Sequence, residues 1–204
     1  MTGYQKFWNW FVEHEQDLFN FEKDKERIFD ELADELQKVD GDLTFEFGPK
    51  EATREFVISA GGIKRAFPAV TALTAAAPRL KNWKITAFRP RRDIDQTDPL
   101  KTVAFRDKVV DARNVQFTLL DNGQIAGIYL FIPGFKNEDA DLQQIAYLLL
   151  DSLLGEYDVE TKLGLIEIFS PEAKTQWERY PLSALPKAFD ELTAKLKGKP
   201  DFQN

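Results

Sequence analysis

The chain has no cysteine and a single histidine, His14. Those two residue types supply most side-chain nucleophiles, general bases and zinc ligands. Their scarcity removes disulfides, thiol catalysis and the usual zinc sites together. Met1 is the one methionine, so sulfur-based redox roles are excluded as well. No apolar run approaches the roughly 18 residues of a membrane span. The densest, residues 145–154, is interrupted by Asp151 and Ser152. Residues 1–12 lack an apolar stretch behind a basic start, so no secretory leader is read there. Neither a nucleophile elbow nor a phosphate-binding or dinucleotide-binding glycine motif occurs. The expectation is a cytoplasmic protein with no cofactor and no membrane partner.

What is present argues for a well-packed domain. A length of 204 residues with 43% hydrophobic side chains suffices for a substantial core, and 17 Phe and 4 Trp make that core aromatic. One domain spanning 1–204 is expected, since no stretch reads as a linker. The net charge of −7 conceals a segregation. Residues 1–60 carry 7 basic and 15 acidic side chains, residues 61–120 carry 12 and 5, and residues 121–204 carry 8 and 14. A net-acidic chain is a poor nucleic-acid binder. The basic middle either holds an anion or packs beside the acidic N-terminal helices, each neutralising the other.

Apolar periodicity predicts helices over 4–19 and 22–39, then strands over 43–47 and 55–60. A short helix over 68–77 and a strand over 83–88 follow. A short strand is read at 102–105. Asn122-Gly123 predicts a hairpin within 114–133, closed by a two-residue turn that pairs Asp121 with Gln124. In that register Val115, Phe117 and Leu119 share a face with Leu130, Ile128 and Ala126. Gln116, Thr118, Gly127 and Tyr129 lie opposite, on a wet or ligand-facing side. A helix over 139–154 is framed by Asp139 and Gly155. A strand at 163–169, an irregular stretch with Trp177 and Tyr180, and a helix over 182–197 complete the chain. The class is α+β with a mostly antiparallel sheet. The element order resembles a ferredoxin-like (split βαβ) core with N- and C-terminal helices packed on it.

Five features are candidates for chemistry. His14, flanked by Glu13 and Glu15, reads as a general base or as a helix histidine paired to a neighbour. Arg89, Arg91 and Arg92 form a basic focus whose guanidinium forks suit a carboxylate or phosphate; ion pairing is the plainer reading. Asp151, Glu156, Asp158 and Glu160 form the densest carboxylate group. If 155–161 is extended, Glu156, Asp158 and Glu160 share one face about 7 Å apart in steps, a spacing for a divalent cation or an acid/base pair. The alternative is a solvated edge that discourages strand pairing. Asp93, Asp95 and Asp98 imitate a calcium loop but lack its glycine and its closing glutamate. Trp8, Phe19 and Phe21 fall off the main stripe of the first helix, which marks either a docking surface or burial by the C-terminal helix.

The segments Phe7-Trp8-Asn9-Trp10-Phe11-Val12-Glu13-His14-Glu15 and Leu150-Asp151-Ser152-Leu153-Leu154-Gly155-Glu156-Tyr157-Asp158-Val159-Glu160-Thr161 resemble stretches of uncharacterised bacterial proteins of about this length. The resemblance implies a bacterial origin and assigns no activity or site. Three functions are expected from the sequence. The first is a non-catalytic protein-interaction module, antidote- or adaptor-like, docking through the acidic residues Asp30, Glu31, Asp34 and Glu35 and the aromatic first helix. The second is a small-anion or metabolite binder built on the arginines. The third is a carboxylate-dependent enzyme, with or without Mg²⁺. The oligomeric state is not encoded in any pattern found.

Overall fold

The computed structural model describes residues 1–92, 102–136 and 139–196. The fold is α+β, with seven helices and nine strands among these residues, the strands in mostly antiparallel open sheets. The ferredoxin-like core is not confirmed: the strands fall into three separate sheets. The chain divides into two compact units, Met1–Pro90 and Arg91–Asn204. No described helix is long and apolar enough to cross a membrane.

In the first unit, α1 (Gly3–Glu13) opens with a capping box between Thr2 and Gln5. His14 adopts a non-helical conformation and separates α1 from α2 (Glu15–Phe19), so the helix expected over 4–19 is two. After a 3₁₀ turn (Phe21–Lys23), α3 (Lys25–Gln37) buries Ile28, Leu32 and Leu36. Strands β1 (Thr44–Phe47) and β2 (Arg54–Ser59) are antiparallel. Helix α4 (Phe67–Ala75) then crosses over to β3 (Trp83–Ala87), which lies parallel to β2. Phe88 leaves β3 in the left-handed region at φ +62°, held by its ring against Phe67 with centroids 4.5 Å apart.

This unit is packed around aromatic rings. Phe56 is fully buried, with ring centroids 5.1 Å from Phe11, 5.3 Å from Phe47 and 6.4 Å from both Phe7 and Trp83. The rings off the main helical stripe belong to this core. Trp8 is 3% exposed, and its Nε1–H donates to the Leu73 carbonyl of α4 at 2.8 Å. Phe19 meets Trp83 edge-on at 5.6 Å, and Phe21 stacks on Phe47 at 5.2 Å. The aromatic docking surface expected on the first helix is therefore corrected. Within the first unit the covering elements are α4 and the three-stranded sheet.

One cation enters this core. Arg54 at the start of β2 is 1% exposed. Its Nη1–H donates to the Phe19 carbonyl at 2.8 Å, its Nη2 pairs with Glu22, and its guanidinium lies 4.4 Å from the Phe21 ring centroid. A buried charge of this kind is tolerable only when paired and hydrogen-bonded.

The second unit starts with a hairpin, β4 (Thr102–Phe105) and β5 (Lys108–Asp111). Its four-stranded sheet has the order β8-β7-β6-β9, formed by β6 (Gln116–Asp121), β7 (Ala126–Phe131), β8 (Leu163–Phe169) and β9 (Tyr180–Pro181). Helices α5 (Ala140–Leu154), α6 (Glu156–Lys162) and α7 (Leu185–Thr193) complete the unit. Leu142, Ile145 and Leu149 of α5 and Leu185 and Phe189 of α7 share one core with Phe117, Ile128 and Leu130 of the sheet.

The β6–β7 hairpin exists, but its register differs from the expected one. Asp121 faces Ala126, and the loop has four residues. The Asn122 side-chain oxygen accepts the amides of both Gln124 (3.1 Å) and Ile125 (2.8 Å), which lengthens the turn. The pairing is displaced by two residues, so every side chain keeps its assigned face.

The Glu22–Arg54 contact carries a pH prediction. Hydrogen bonding to Arg54 lowers the Glu22 pKa below its ordinary value of 4.5. A carboxylate depressed in the folded state stabilises fully above its unfolded pKa, and that contribution is lost as pH falls through the folded value. The first unit is expected to lose stability on acidification below about pH 4.5. Glu22→Gln should flatten that loss while lowering stability at pH 7, as read by thermal unfolding monitored through Trp fluorescence. An unchanged acid limb in the variant would contradict the assignment.

Candidate functional site

The basic focus spans the boundary between the two units, and each arginine is engaged within its own unit. In the first, Arg89 donates from Nε to Glu46 at 2.5 Å. In the second, the Arg91 fork holds both oxygens of Asp190 of α7 at 2.8 and 3.0 Å, lies 3.6 Å from Asp158 of α6, and donates from Nε to the Leu154 carbonyl at 3.4 Å. The Arg92 amide donates to the Ser152 carbonyl at 2.7 Å. Ser152 and Leu154 belong to the last turn of α5, whose carbonyls have no partner within the helix. Arg91 and Arg92 thus close the C-terminus of α5, and Arg91 ties it to α6 and α7. Hydrogen bonding to Asp190 raises the Arg91 pKa, and the same bond lowers that of Asp190.

The carboxylate group is rearranged. Residues 156–162 form α6, not the extended segment expected. At about 100° per residue, Asp158 points away from Glu156, while Glu160 returns near it. Glu156 is fully buried and Asp151 is 8% exposed. Asp158 pairs with Lys162 at 2.9 Å as well as with Arg91. Asp151, Glu156 and Glu160 are each engaged too. Among the described residues, no group of three or more His, Asp or Glu side chains stands where it could hold one metal ion. Asp93, Asp95 and Asp98 lie outside the described residues.

His14 is a structural residue of the first unit. Its ring stacks on Trp10 with centroids 4.7 Å apart, and Nδ1 lies 2.8 Å from the Trp10 carbonyl oxygen. Only a protonated Nδ1 can donate there. The basic middle is also neutralised differently from the expected way. Its ion-pair partners include Asp42 and Glu55 in the first unit and Asp111, Asp139 and Asp141 in the second, besides those already named. On α3, Glu31 pairs with Arg27 and Glu35 with Lys38, while Asp30 and Asp34 are exposed.

The feature that remains is the far edge of the four-stranded sheet. At the opposite edge, β9 covers Gln116 and Phe117, and the Thr118 hydroxyl donates to the Glu178 carbonyl at 2.7 Å. The outer sheet face is covered too. Trp177 lies 4.5 Å from Tyr129, and the Arg179 guanidinium sits 3.8 Å over Phe131 while donating to the Pro171 carbonyl at 2.6 Å. Strand β8 has no such cover among the described residues. It pairs with β7 alone; outside that ladder the Ile132 N–H donates to its Phe169 carbonyl at 2.9 Å, and its Leu163 N–H donates back to the Val159 carbonyl of α6. Of its seven residues only Glu167 is charged; that side chain is exposed and makes no ion pair among the described residues. Leu165 is 41% exposed. Ile166, Glu167, Ile168 and Phe169 line a groove of about 350 Å³ with Phe135 and with Gln143 and Tyr147 of α5.

Sequence pattern placed β8 correctly but gave no sign that it is an edge, because edge position depends on pairing between distant segments. Comparison with protein-family models, with curated proteins and with solved structures gives no match.

If Arg91 is a tie between helices, Arg91→Ala should cost about 1 kcal/mol, at the upper end for a partly exposed ion pair. The cost should be the same with and without 50 mM phosphate, measured by thermal unfolding. Phosphate stabilisation that disappears in the variant would instead make Arg91 an anion ligand.

Proposed function

We propose that the chain is a non-catalytic protein-interaction module of a bacterial cytoplasm, and that it binds through the second unit. The observation that carries this reading is the β8 edge: seven residues with one charge, a groove of mixed polar and apolar lining alongside, and no covering strand among the described residues. Exposed edges of this kind are normally blunted by charge, proline or a covering element, because they template pairing with another chain. The other candidates weigh less. Arg89 and Arg91 are paired with carboxylates, so an anion on either would have to displace Glu46 or Asp190. The carboxylates are spread between a buried helix junction and an ion-paired helix face.

The test is a thermal-unfolding panel of nucleotides, sugar phosphates, organic acids, Mg²⁺, Mn²⁺ and Ca²⁺. A ligand at about 100 times its dissociation constant adds ~2.7 kcal/mol, which is several degrees for a chain of this size. The reading predicts no shift with any compound. A shift of several degrees would contradict it and move the function to a small-ligand binder or an enzyme.

A further inference from the structure

Resting on that reading, we propose that the partner is bound by strand addition: an extended peptide, apolar at alternate positions and basic between them, pairs with the outer edge of β8. The backbone requirement is met by the seven-residue strand, whose outward N–H and C=O groups past Leu163 have no acceptor or donor among the described residues. The side-chain requirements follow from the two faces. Successive residues of an added strand point to opposite sides. Those on the side of Ile166 and Ile168 reach the groove, whose lining also takes in Gln143 and Glu167, and apolar side chains there pack on Ile166, Ile168, Phe135 and Tyr147. Those on the side of Leu165 and Glu167 meet one exposed, unpaired carboxylate, and a basic residue opposite it completes a cross-strand charge pair.

Charge also selects against a second copy of this chain as the occupant. Antiparallel self-pairing must match faces, so the two copies share a register with an even sum of residue numbers. The one that uses all seven residues is centred on Ile166 and makes the two Glu167 carboxylates diagonal neighbours. Each copy moreover carries a net charge of −7. A basic segment avoids both penalties.

The experiment uses the full chain and three labelled nine-residue peptides: alternating valine and lysine, the same composition arranged in two blocks, and alternating valine and glutamate. Binding is read by fluorescence anisotropy at physiological salt and located by amide chemical shifts. The proposal predicts that the alternating valine–lysine peptide binds at least tenfold more tightly than the block peptide, with shifts centred on residues 163–169. In Glu167→Lys, an exposed position that folding should tolerate, the preference should reverse toward the valine–glutamate peptide. Equal binding of the alternating and block peptides would overturn it, as simple charge attraction. So would an unchanged preference in Glu167→Lys, or a dimer in sedimentation that the peptide does not disperse. Absence of peptide binding alongside a flat small-molecule panel overturns strand addition alone. A small-molecule shift overturns the interaction reading itself.

Discussion

The first unit depends on a cation placed where cations are least tolerated. Arg54 stands at the start of the central strand of its sheet, buried among Phe19, Phe21 and Trp83. It is held by one carbonyl, one carboxylate and two ring faces. Those contacts fix the turn between α2 and α3 against the sheet, and they close the aromatic core on that side. Removing Glu22 costs more than the pair contributes, because Arg54 stays buried with its charge uncompensated, whereas Glu22 is half-exposed. The rings around Phe56 then pack on a frame whose entry angle is already set.

The second unit applies the same economy at its surface. The arginines that look most like a binding site are spent on structure, Arg89 on one side of Pro90 and Arg91 with Arg92 on the other. Arg91 joins the end of α5 to two further helices. Away from these residues, the outer edge of β8 keeps backbone groups without partners among the described residues. The sheet covers its opposite edge with β9 and its outer face with Trp177 and Arg179, yet leaves this edge bare among the described residues, and the proposed pairing rests on that asymmetry.

Local signals were legible and non-local ones were not. The helix at α5 was readable from Asp139, its apolar stripe and Gly155, because caps and periodicity are properties of adjacent residues. The α+β class followed from the same patterns. The hairpin was located by Asn122-Gly123, but its register was missed, since the Asn122 side chain takes two amides and lengthens the loop. The carboxylate face of 155–161 failed for a similar reason. Gly155, at φ +83°, restarts a helix immediately after α5, and the extended reading required a break there. The Arg54–Glu22 and Arg91–Asp190 pairs join residues 32 and 99 positions apart, so no local window contains them. The charge segregation was visible, yet the carboxylates that pair with the basic middle are scattered over turns, strands and helices far along the chain.

The measurement that bears most directly on this account is amide hydrogen exchange through β8 in the isolated protein. An open edge predicts alternation: amides directed at β7 are protected to the level of the sheet, and those between them exchange at rates near those of exposed loops. Uniform protection along residues 163–169 would mean that the edge is already covered, and the proposed mode of binding would fall with it.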